Sequence, residues 1–242
     1  MSGVHRYATP SDLAEGVAQR LLDTLLDRQA ATDGPIQLCL TGGRIANRMY
    51  GVLAERAAAS ALDPGRLELW WGDERFVPTE DPSRHAGHTL SILAGHLPLA
   101  PGLTHPMPAA DGLADSGASA ATYAKELGDT TFDVTLLGLG PDGHVASVFP
   151  DHPSFDPSPY TVIGVTDAPK PPGARITLTV EALSQSREVW YIVSGDDKAD
   201  AVARAVAGDE TIPGGLVRGR ERTLWLLDRA AGGGLPYHSC SF

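Results

Sequence analysis

The sequence has little cysteine and no hydrophobic run of the length that a membrane-spanning helix needs. Cys39 and Cys240 are its two cysteines, too few for a disulfide framework, and Cys39 lies in the apolar run IQLCL, where a small core residue is expected. No stretch approaches the roughly 18 apolar residues of a membrane helix. The opening residues MSGVHRYATP also lack the apolar centre of a signal peptide, so we expect a cytoplasmic protein without membrane contacts.

Lysine is scarce as well, because Lys125, Lys170 and Lys198 are the only lysines among 19 basic residues. Because most basic residues in this chain are arginines, a lysine favours a position where its compact ammonium group has a specific use. Acidic residues are in excess, and the formal net charge is −11. That charge argues against broad binding to nucleic acids or anionic membranes, although a local basic pocket remains compatible with it.

Several catalytic and binding motifs are absent. There is no G-x-S-x-G elbow, which argues against an α/β serine hydrolase, and no G-x-x-x-x-G-K-[ST] phosphate loop. His85 and His88 are spaced like neighbours on one helical face, but no H-E-x-x-H motif or cysteine pair accompanies them. We therefore expect surface histidines at these two positions and no metal site.

Helical and extended patterns alternate along the chain. Helices are predicted at residues 11–30, 45–60, 88–97, 116–127 and 196–208, and strands at 36–40, 66–72, 132–140, 160–165, 175–180, 188–195 and 222–228. Ser11 is the predicted N-cap of the first helix. Apolar strands that alternate with helices indicate an α/β fold with a mainly parallel sheet covered on both faces. Without tandem repeats or a long linker, a single domain spanning residues 1–242 is expected.

Four polar, glycine-containing stretches fall at predicted strand ends: TGGR, GDERF, GLGPDGH and SGDDK. In open parallel sheets, ligands bind at the carboxyl ends of the strands, so this shared placement predicts one site. In TGGR, the N–H groups of Gly42 and Gly43 precede a helix and form a plausible anion seat, although a plain tight turn is about equally compatible.

The third stretch also matches a dinucleotide-binding pattern. Gly138, Gly140 and Gly143 fit G-x-G-x-x-G after a strand, and Asp167 lies roughly where a ribose-binding acid would be sought. That motif must feed a long helix whose N-terminus faces the pyrophosphate. Four prolines between positions 150 and 159 leave only HVASVF for such a helix, so we reject a dinucleotide site.

The same glycines can instead present chemistry. Gly140 and Gly143 permit a sharp turn with exposed backbone N–H groups, and they place His144 near the start of a predicted short helix. The positive end of that helix would keep the imidazole neutral, so His144 could take a proton from water. Asp142 could orient His144 or bind a hydroxyl. The alternative is that His144 only caps the turn.

Charged residues in the other loops suit an anionic ligand. Arg75 could grip a phosphate with two parallel N–H bonds, with Asp73 beside it, or these residues could form a structural ion pair. Lys198 lies at a helix start, where something anionic must compensate it, and its preceding aspartates could do so. Lys170 and Arg175 flank a loop that could fold over a ligand or remain solvated. Together these residue types suggest a phosphorylated, hydroxyl-rich small molecule.

These motifs resemble those of the 6-phosphogluconolactonases, in the same order along most of the chain. The stretches LTGG, WWGDERFVP, FDVTLLGLGPDGHVASVFP, PKPPGARITLT and SGDDKADAV carry the resemblance, and the third is the most specific. The resemblance implies a three-layer, Rossmann-like fold of the glucosamine-6-phosphate isomerase/deaminase type that binds no nucleotide. It also implies hydrolysis of 6-phospho-D-glucono-1,5-lactone to 6-phosphogluconate in the oxidative pentose phosphate pathway, without a cofactor.

Carried onto matching positions, the resemblance makes His144 the general base and Arg75 a phosphate ligand, with Lys198 and Arg175 as supporting residues. Loop N–H groups could stabilise the tetrahedral oxyanion. Two positions depart from the family pattern. Where the family usually has GGSTP, this chain has GGRIA, and we expect Arg44 to supply a new anion contact. His85 lies near the place of a common asparagine.

Two other functions compete with lactone hydrolysis. A glucosamine-6-phosphate deaminase tends to carry GHIAFNEP and DEY where this chain has GHVASVFP and DER. A non-catalytic sugar-phosphate sensor normally carries a DNA-binding module, for which this acidic chain has no spare segment. A phosphorylated sugar lactone is thus the expected partner, with no nucleic acid or membrane. Either a monomer or a homodimer is compatible with the sequence.

Overall fold

The computed structural model describes residues 2–236, and Cys240 lies outside the described residues. The strands are β1 (Ser2–Tyr7), β2 (Ile36–Leu40), β3 (Leu67–Trp71), β4 (Asp73–Arg75), β5 (Thr104–His105), β6 (Val134–Leu137), β7 (Val162–Val165), β8 (Arg175–Leu178), β9 (Glu188–Val193) and β10 (Arg222–Asp228). The helices are α1 (Pro10–Ala31), α2 (Arg44–Ala58), α3 (His85–Leu93), α4 (Ser116–Leu127), α5 (Val180–Ser184), α6 (Ala199–Ala207) and α7 (Pro213–Leu216). None of these helices is long and apolar enough to cross a membrane.

Seven strands form one parallel sheet in the order β1-β10-β9-β6-β2-β3-β5. β2 and β6 are neighbours in the middle of this sheet. The strands β3 and β5 lie beyond β2 on one side, and β9 and β10 lie beyond β6 on the other. The strand order therefore reverses between β2 and β6. At such a point the loops that leave the carboxyl ends of the two strands diverge and open a crevice for a ligand.

The predicted α/β class with a mainly parallel sheet is confirmed, but two predicted strands lie elsewhere. β7 and β8 pair antiparallel with each other, and β8 pairs antiparallel with β4, in a separate three-stranded sheet. The reason is the connection, because parallel neighbours need a crossover of a dozen or more residues. Only residues 166–174 join β7 to β8, and they contain no helix.

The ends of several elements differ from the prediction. Thr9, not Ser11, caps α1: its side chain accepts a hydrogen bond from the N–H of Asp12 at 3.1 Å. Pro10 then occupies the first helical turn, where its missing N–H costs nothing. The edge strand β1 was not predicted, since its residues SGVHRY form neither an apolar run nor a regular alternation of polar and apolar side chains.

Buried apolar side chains form one connected cluster along the parallel strands and the inner faces of α1 and α2. All residues of β6 and β9 are buried, as expected for strands covered on both faces. Tyr191 on β9 stacks on Trp225 of β10 with ring centroids 3.9 Å apart. This core fixes the strand ends from which the site loops leave.

The small sheet is tied closely to α4. A Cβ built on Gly164 of β7 would lie 2.5–2.8 Å from backbone atoms of Ser116 and Gly117. We expect Gly164→Ala to lower the free energy of unfolding by about 1–3 kcal/mol, because two backbone segments must separate to admit the methyl group. Urea denaturation measures this loss.

Gly51→Ala is the matched control for that substitution. Gly51 lies within α2, and a Cβ there meets no atom within 4 Å. The change should stabilise the protein by about 0.5–1 kcal/mol, since alanine loses less conformational entropy in a helix. Equal effects of the two substitutions would contradict the close approach of β7 and α4.

Candidate active site

A cavity of about 610 Å³ opens at the carboxyl ends of the parallel strands. The loops after β2, β3, β6 and β9 all line it, so the four glycine-containing stretches do meet at one place. The predicted residues that line the cavity are Gly42, Gly43, Arg44, Asp73, Arg75, Gly140, His144, Lys170, Arg175 and Lys198. The two remaining predicted residues, Asp142 and Gly143, are not among the lining residues.

His144 is paired with Asp142 inside the loop after β6. His144 Nδ1 lies 2.5 Å from Asp142 Oδ1, and the imidazole packs on Phe149 with ring centroids 4.8 Å apart. Gly140 leaves the space for this pair, because a Cβ there would lie 1.9 Å from the imidazole and 2.4 Å from Asp142 Oδ1. The glycine is thus required by close approach of side chains.

The charge of Asp142 settles which histidine nitrogen carries hydrogen. Burial opposes ionisation of Asp142, but the hydrogen bond from His144 and the nearby charges of His144 and Lys170 outweigh it, so the pKa of this carboxyl falls well below its usual range. An ionised carboxylate only accepts hydrogen bonds, so Nδ1 of His144 is the donor. In the neutral ring Nε2 is then an acceptor, the state needed to take a proton from water.

Two details of the predicted loop are wrong. Residues 141–150 form turns with a bridge between Val145 and Val148 and no helix, so no helix terminus acts on His144. The N–H groups of Gly140 and Gly143 are also occupied, donating to the carbonyls of His144 at 2.9 Å and of Gly140 at 3.0 Å. They are unavailable to an oxyanion. Gly143 has φ of 87° and packs against Ile212, which is a structural role.

The loop after β3 is organised by a buried carboxylate. Glu74 is fully buried, and its oxygens accept 2.8 Å hydrogen bonds from the backbone N–H groups of Arg75, His85 and Ala86. It therefore joins β4 to the first turn of α3, where an acidic group is favourable. The structural ion pair that the sequence left open for this segment is formed by Glu74, whose carboxylate lies 4.0 Å from the Arg84 guanidinium. Arg75 lines the cavity instead.

Asp73 lies at the base of the cavity and is almost fully buried. Its Oδ2 accepts a 2.7 Å hydrogen bond from Ser147 Oγ, and Arg175 Nη1 lies 3.5 Å from the same hydroxyl. Burial lowers the pKa of the Arg175 guanidinium, whereas the charge of Asp73 acts to raise it. Asp73 is thereby held by the loop after β6 and by β8.

Arg175 anchors the loop between β7 and β8, whereas the Lys170 side chain remains about half exposed. Arg175 is buried, and its guanidinium donates to the carbonyls of Pro172 at 3.1 Å and Lys170 at 2.8 Å. Lys170 itself reaches toward the histidine pair, with Nζ 3.9 Å from Asp142 Oδ1. Burial lowers the pKa of Lys170, and the charge of Asp142 opposes this effect.

The loop after β2 presents backbone donors and arginines. Gly43 has φ of 113° and precedes α2 without any side-chain cap. The N–H groups of Gly42 and Gly43 donate to no acceptor within residues 2–236. Arg44 and Arg48 both line the cavity from α2. Arg48 was not predicted, although its spacing of four residues from Arg44 places both on one helical face.

Lys198 lines the cavity from the loop after β9, and its Nζ lies 3.3 Å from Asp197 Oδ2. Asp197 therefore compensates the positive charge of Lys198, as the sequence suggested for one of the preceding aspartates. Arginine and lysine side chains outnumber the acidic side chains in the cavity lining, although the chain as a whole is acidic. A basic cavity in an acidic protein favours an anionic ligand.

His85 is not the surface histidine predicted from the sequence. Its side chain is only 11% exposed and lines the cavity, with Nδ1 3.7 Å from Asp73 Oδ1. Burial lowers its pKa, the charge of Asp73 acts in the opposite direction, and Arg75 adds to the lowering. His88 remains exposed. Within residues 2–236, no three His, Cys, Asp or Glu side chains are placed to hold a metal ion.

Comparison with known proteins assigns a family to this arrangement. The family model described as glucosamine-6-phosphate isomerases/6-phosphogluconolactonase matches residues 8–225. The chain belongs to this family. The 6-phosphogluconolactonase of Streptomyces coelicolor is 47% identical, over 93% of this chain and 91% of that protein. The Mycobacterium tuberculosis protein of the same name is 40% identical, over 93% and 96%. The resemblance seen in the motifs is confirmed.

Solved structures of the family share the fold. The 6-phosphogluconolactonase from Thermotoga maritima has a TM-score of 0.83 at 24% identity, covering 94% of this chain and 100% of that one. A monomeric glucosamine-6-phosphate deaminase has a TM-score of 0.79 at 21% identity, covering 96% and 99%. The isomerase/deaminase-type fold is thereby confirmed, and it is common to both branches of the family.

The role of Glu74 can be tested by stability. We expect Glu74→Gln to lower the free energy of unfolding by about 1–3 kcal/mol, because an amide offers one acceptor where three buried N–H groups now find two carboxylate oxygens. Urea denaturation measures the change. Glu80→Gln, at an exposed position of the same loop, should stay within about 0.5 kcal/mol of the wild type. A harmless Glu74→Gln would contradict the anchoring role.

Proposed function

We propose that the protein hydrolyses 6-phospho-D-glucono-1,5-lactone to 6-phospho-D-gluconate, a step of the oxidative pentose phosphate pathway. The observation that carries this proposal is the His144–Asp142 pair facing a cavity lined with cations. The names of the relatives, at 37–47% identity over nearly the whole chain, support the same reaction. A cytoplasmic location stays a prediction from the sequence.

In this mechanism His144 is the general base. Nε2 accepts a proton from a water molecule as the water oxygen attacks the lactone carbonyl carbon, and Asp142 stabilises the imidazolium that forms. When the tetrahedral intermediate collapses, the bond from the carbonyl carbon to the ring oxygen breaks. The imidazolium returns its proton to that oxygen, which leaves as a hydroxyl, and His144 is neutral again. The carboxylic acid so formed ionises in water and releases one proton to the solvent. The chain's own residues and water complete this cycle, so no cofactor is expected.

The remaining cavity residues suit the charged parts of such a substrate. Arg75 and Lys198 are the proposed phosphate ligands, with Arg44 as an additional cation. The N–H groups of Gly42 and Gly43 are proposed donors to substrate oxygens, because they lack acceptors within the described residues. The Nε and Nη2 groups of Arg175 donate to the carbonyls of Pro172 and Lys170, so we assign this residue to shaping the cavity wall and holding the backbone at Lys170 in place.

The base role is tested by variants of the pair. His144→Ala should lower kcat/KM for lactone hydrolysis at least about a hundredfold, and Asp142→Asn about ten- to a hundredfold, because the amide no longer stabilises the imidazolium. The lactone is generated in situ, and proton release is followed above the spontaneous rate. His88→Gln, at an exposed position, is the control.

The outcomes separate the candidate functions. Wild-type activity that survives His144→Ala would keep the proposed reaction and remove the mechanism. Ammonia release from glucosamine 6-phosphate, without lactone hydrolysis, would favour the deaminase branch, whose fold this chain shares. A folded wild type that binds 6-phosphogluconate but accelerates neither reaction would favour a sensor.

The space at Gly140 gives an independent test. Gly140→Ala should lower kcat by about tenfold or more while the protein stays folded, since the added methyl group must displace the imidazole or the Asp142 carboxylate. Lactone hydrolysis and circular dichroism measure the two effects. Gly87→Ala, where a Cβ meets no atom within 4 Å, should leave both unchanged. Full activity of Gly140→Ala would show that the pair is not needed in this arrangement.

A further inference from the structure

His85 lines the cavity in a well-defined position, but it has no role in the proposed mechanism. Its imidazole lies directly over Gly42, where a Cβ would be 1.9 Å from Cδ2 and 2.2 Å from Nε2. The side chain is 11% exposed, and what remains accessible faces the cavity. The ring therefore lies against the backbone of the loop after β2, beside the proposed donors of Gly42 and Gly43.

The backbone around His85 is fixed on both sides. Its N–H donates to Glu74 Oε1 at 2.8 Å, and its carbonyl accepts a 3.0 Å hydrogen bond from Thr89 Oγ1. With Gly42 against the ring, the imidazole has little freedom to turn. A group held in this way loses little entropy when it binds a ligand.

The neighbours of Nδ1 decide which hydrogen-bonding group His85 offers to the cavity. Nδ1 lies 3.5 Å from the carbonyl oxygen of Asp73 and 3.7 Å from its Oδ1, both of which only accept. Hydrogen therefore belongs on Nδ1, and Nε2 of the neutral ring is an acceptor. Nε2 has no hydrogen-bond partner within residues 2–236, so its lone pair is left for a ligand hydroxyl.

We infer that His85 is a specificity-determining residue whose Nε2 accepts a hydrogen bond from one hydroxyl, on C2, C3 or C4, of the phosphorylated sugar, both in the lactone and in its open-chain product. This inference rests on the proposed function, since it concerns how the site recognises that substrate. An asparagine amide, common near this place in the family that the motifs resemble, offers both a donor and an acceptor. The His85 imidazole in this tautomer offers only an acceptor, so it selects for a hydroxyl donor.

The experiment measures the binding of 6-phosphogluconate and its 2-, 3- and 4-deoxy analogues by calorimetry. Wild type, His85→Leu and His85→Gln are compared, with His88→Gln as the exposed control on the same helix. Wild type should bind one deoxy analogue about three- to tenfold more weakly than 6-phosphogluconate, the loss expected for one neutral hydrogen bond. His85→Leu should bind these two ligands equally, and His85→Gln, which keeps an acceptor, should restore part of the difference.

A purely structural role predicts another pattern, in which His85→Leu weakens all four ligands by one factor and the discrimination of the wild type persists. That result, or a wild type that discriminates against none of the analogues, overturns the inference. Lactone hydrolysis is measured on the same samples. Activity without a His85-dependent preference removes only this inference, whereas a wild type that neither hydrolyses the lactone nor binds 6-phosphogluconate removes the proposed function with it.

Discussion

The arrangement of the cavity depends on one buried carboxylate. Glu74 accepts hydrogen bonds from three backbone N–H groups that belong to two different elements, the end of β4 and the first turn of α3. It thereby sets where Arg75 and His85 enter the cavity, and it holds Asp73 next to them. A fully buried charge is costly unless its hydrogen-bonding capacity is used, and here both oxygens are used. The acid in the middle of the motif is structural, and its neighbours Asp73 and Arg75 line the cavity.

The position of the site could be predicted from the sequence, but its electrostatics could not. Strand ends follow from apolar runs that stop at glycine, and parallel strands bring those ends to one edge, so the four loops were expected to meet. The helix expected at HVASVF does not form, because the segment closes into turns with Val145 bridged to Val148. The environment of His144 therefore comes from Asp142 and Lys170. Local sequence does not reveal which backbone N–H groups a turn consumes.

Two cavity residues show the limit of local patterns. The spacing of Arg48 from Arg44 could have placed it on the same face of α2, but only the tertiary structure shows that this face lines the cavity. A surface position was predicted for His85 because it precedes the helix expected to begin at His88 and no H-E-x-x-H motif or cysteine pair accompanies it. Its burial comes from contact with Gly42, which is distant in the sequence. The antiparallel pairing of β7 and β8 likewise follows from the connection between them rather than from the strands themselves.

The anchoring of residues 166–174 bears on how a substrate gains access. Because Arg175 donates hydrogen bonds to the carbonyls of Lys170 and Pro172, this stretch is anchored beside the cavity at two points. Many enzymes close over their substrates to keep water away from reactive intermediates. For lactone hydrolysis water is the second reactant, so sealing the cavity would bring no such benefit. A cavity that stays open to solvent would let water refill the site after each turnover of the proposed reaction, and the basic lining attracts anions.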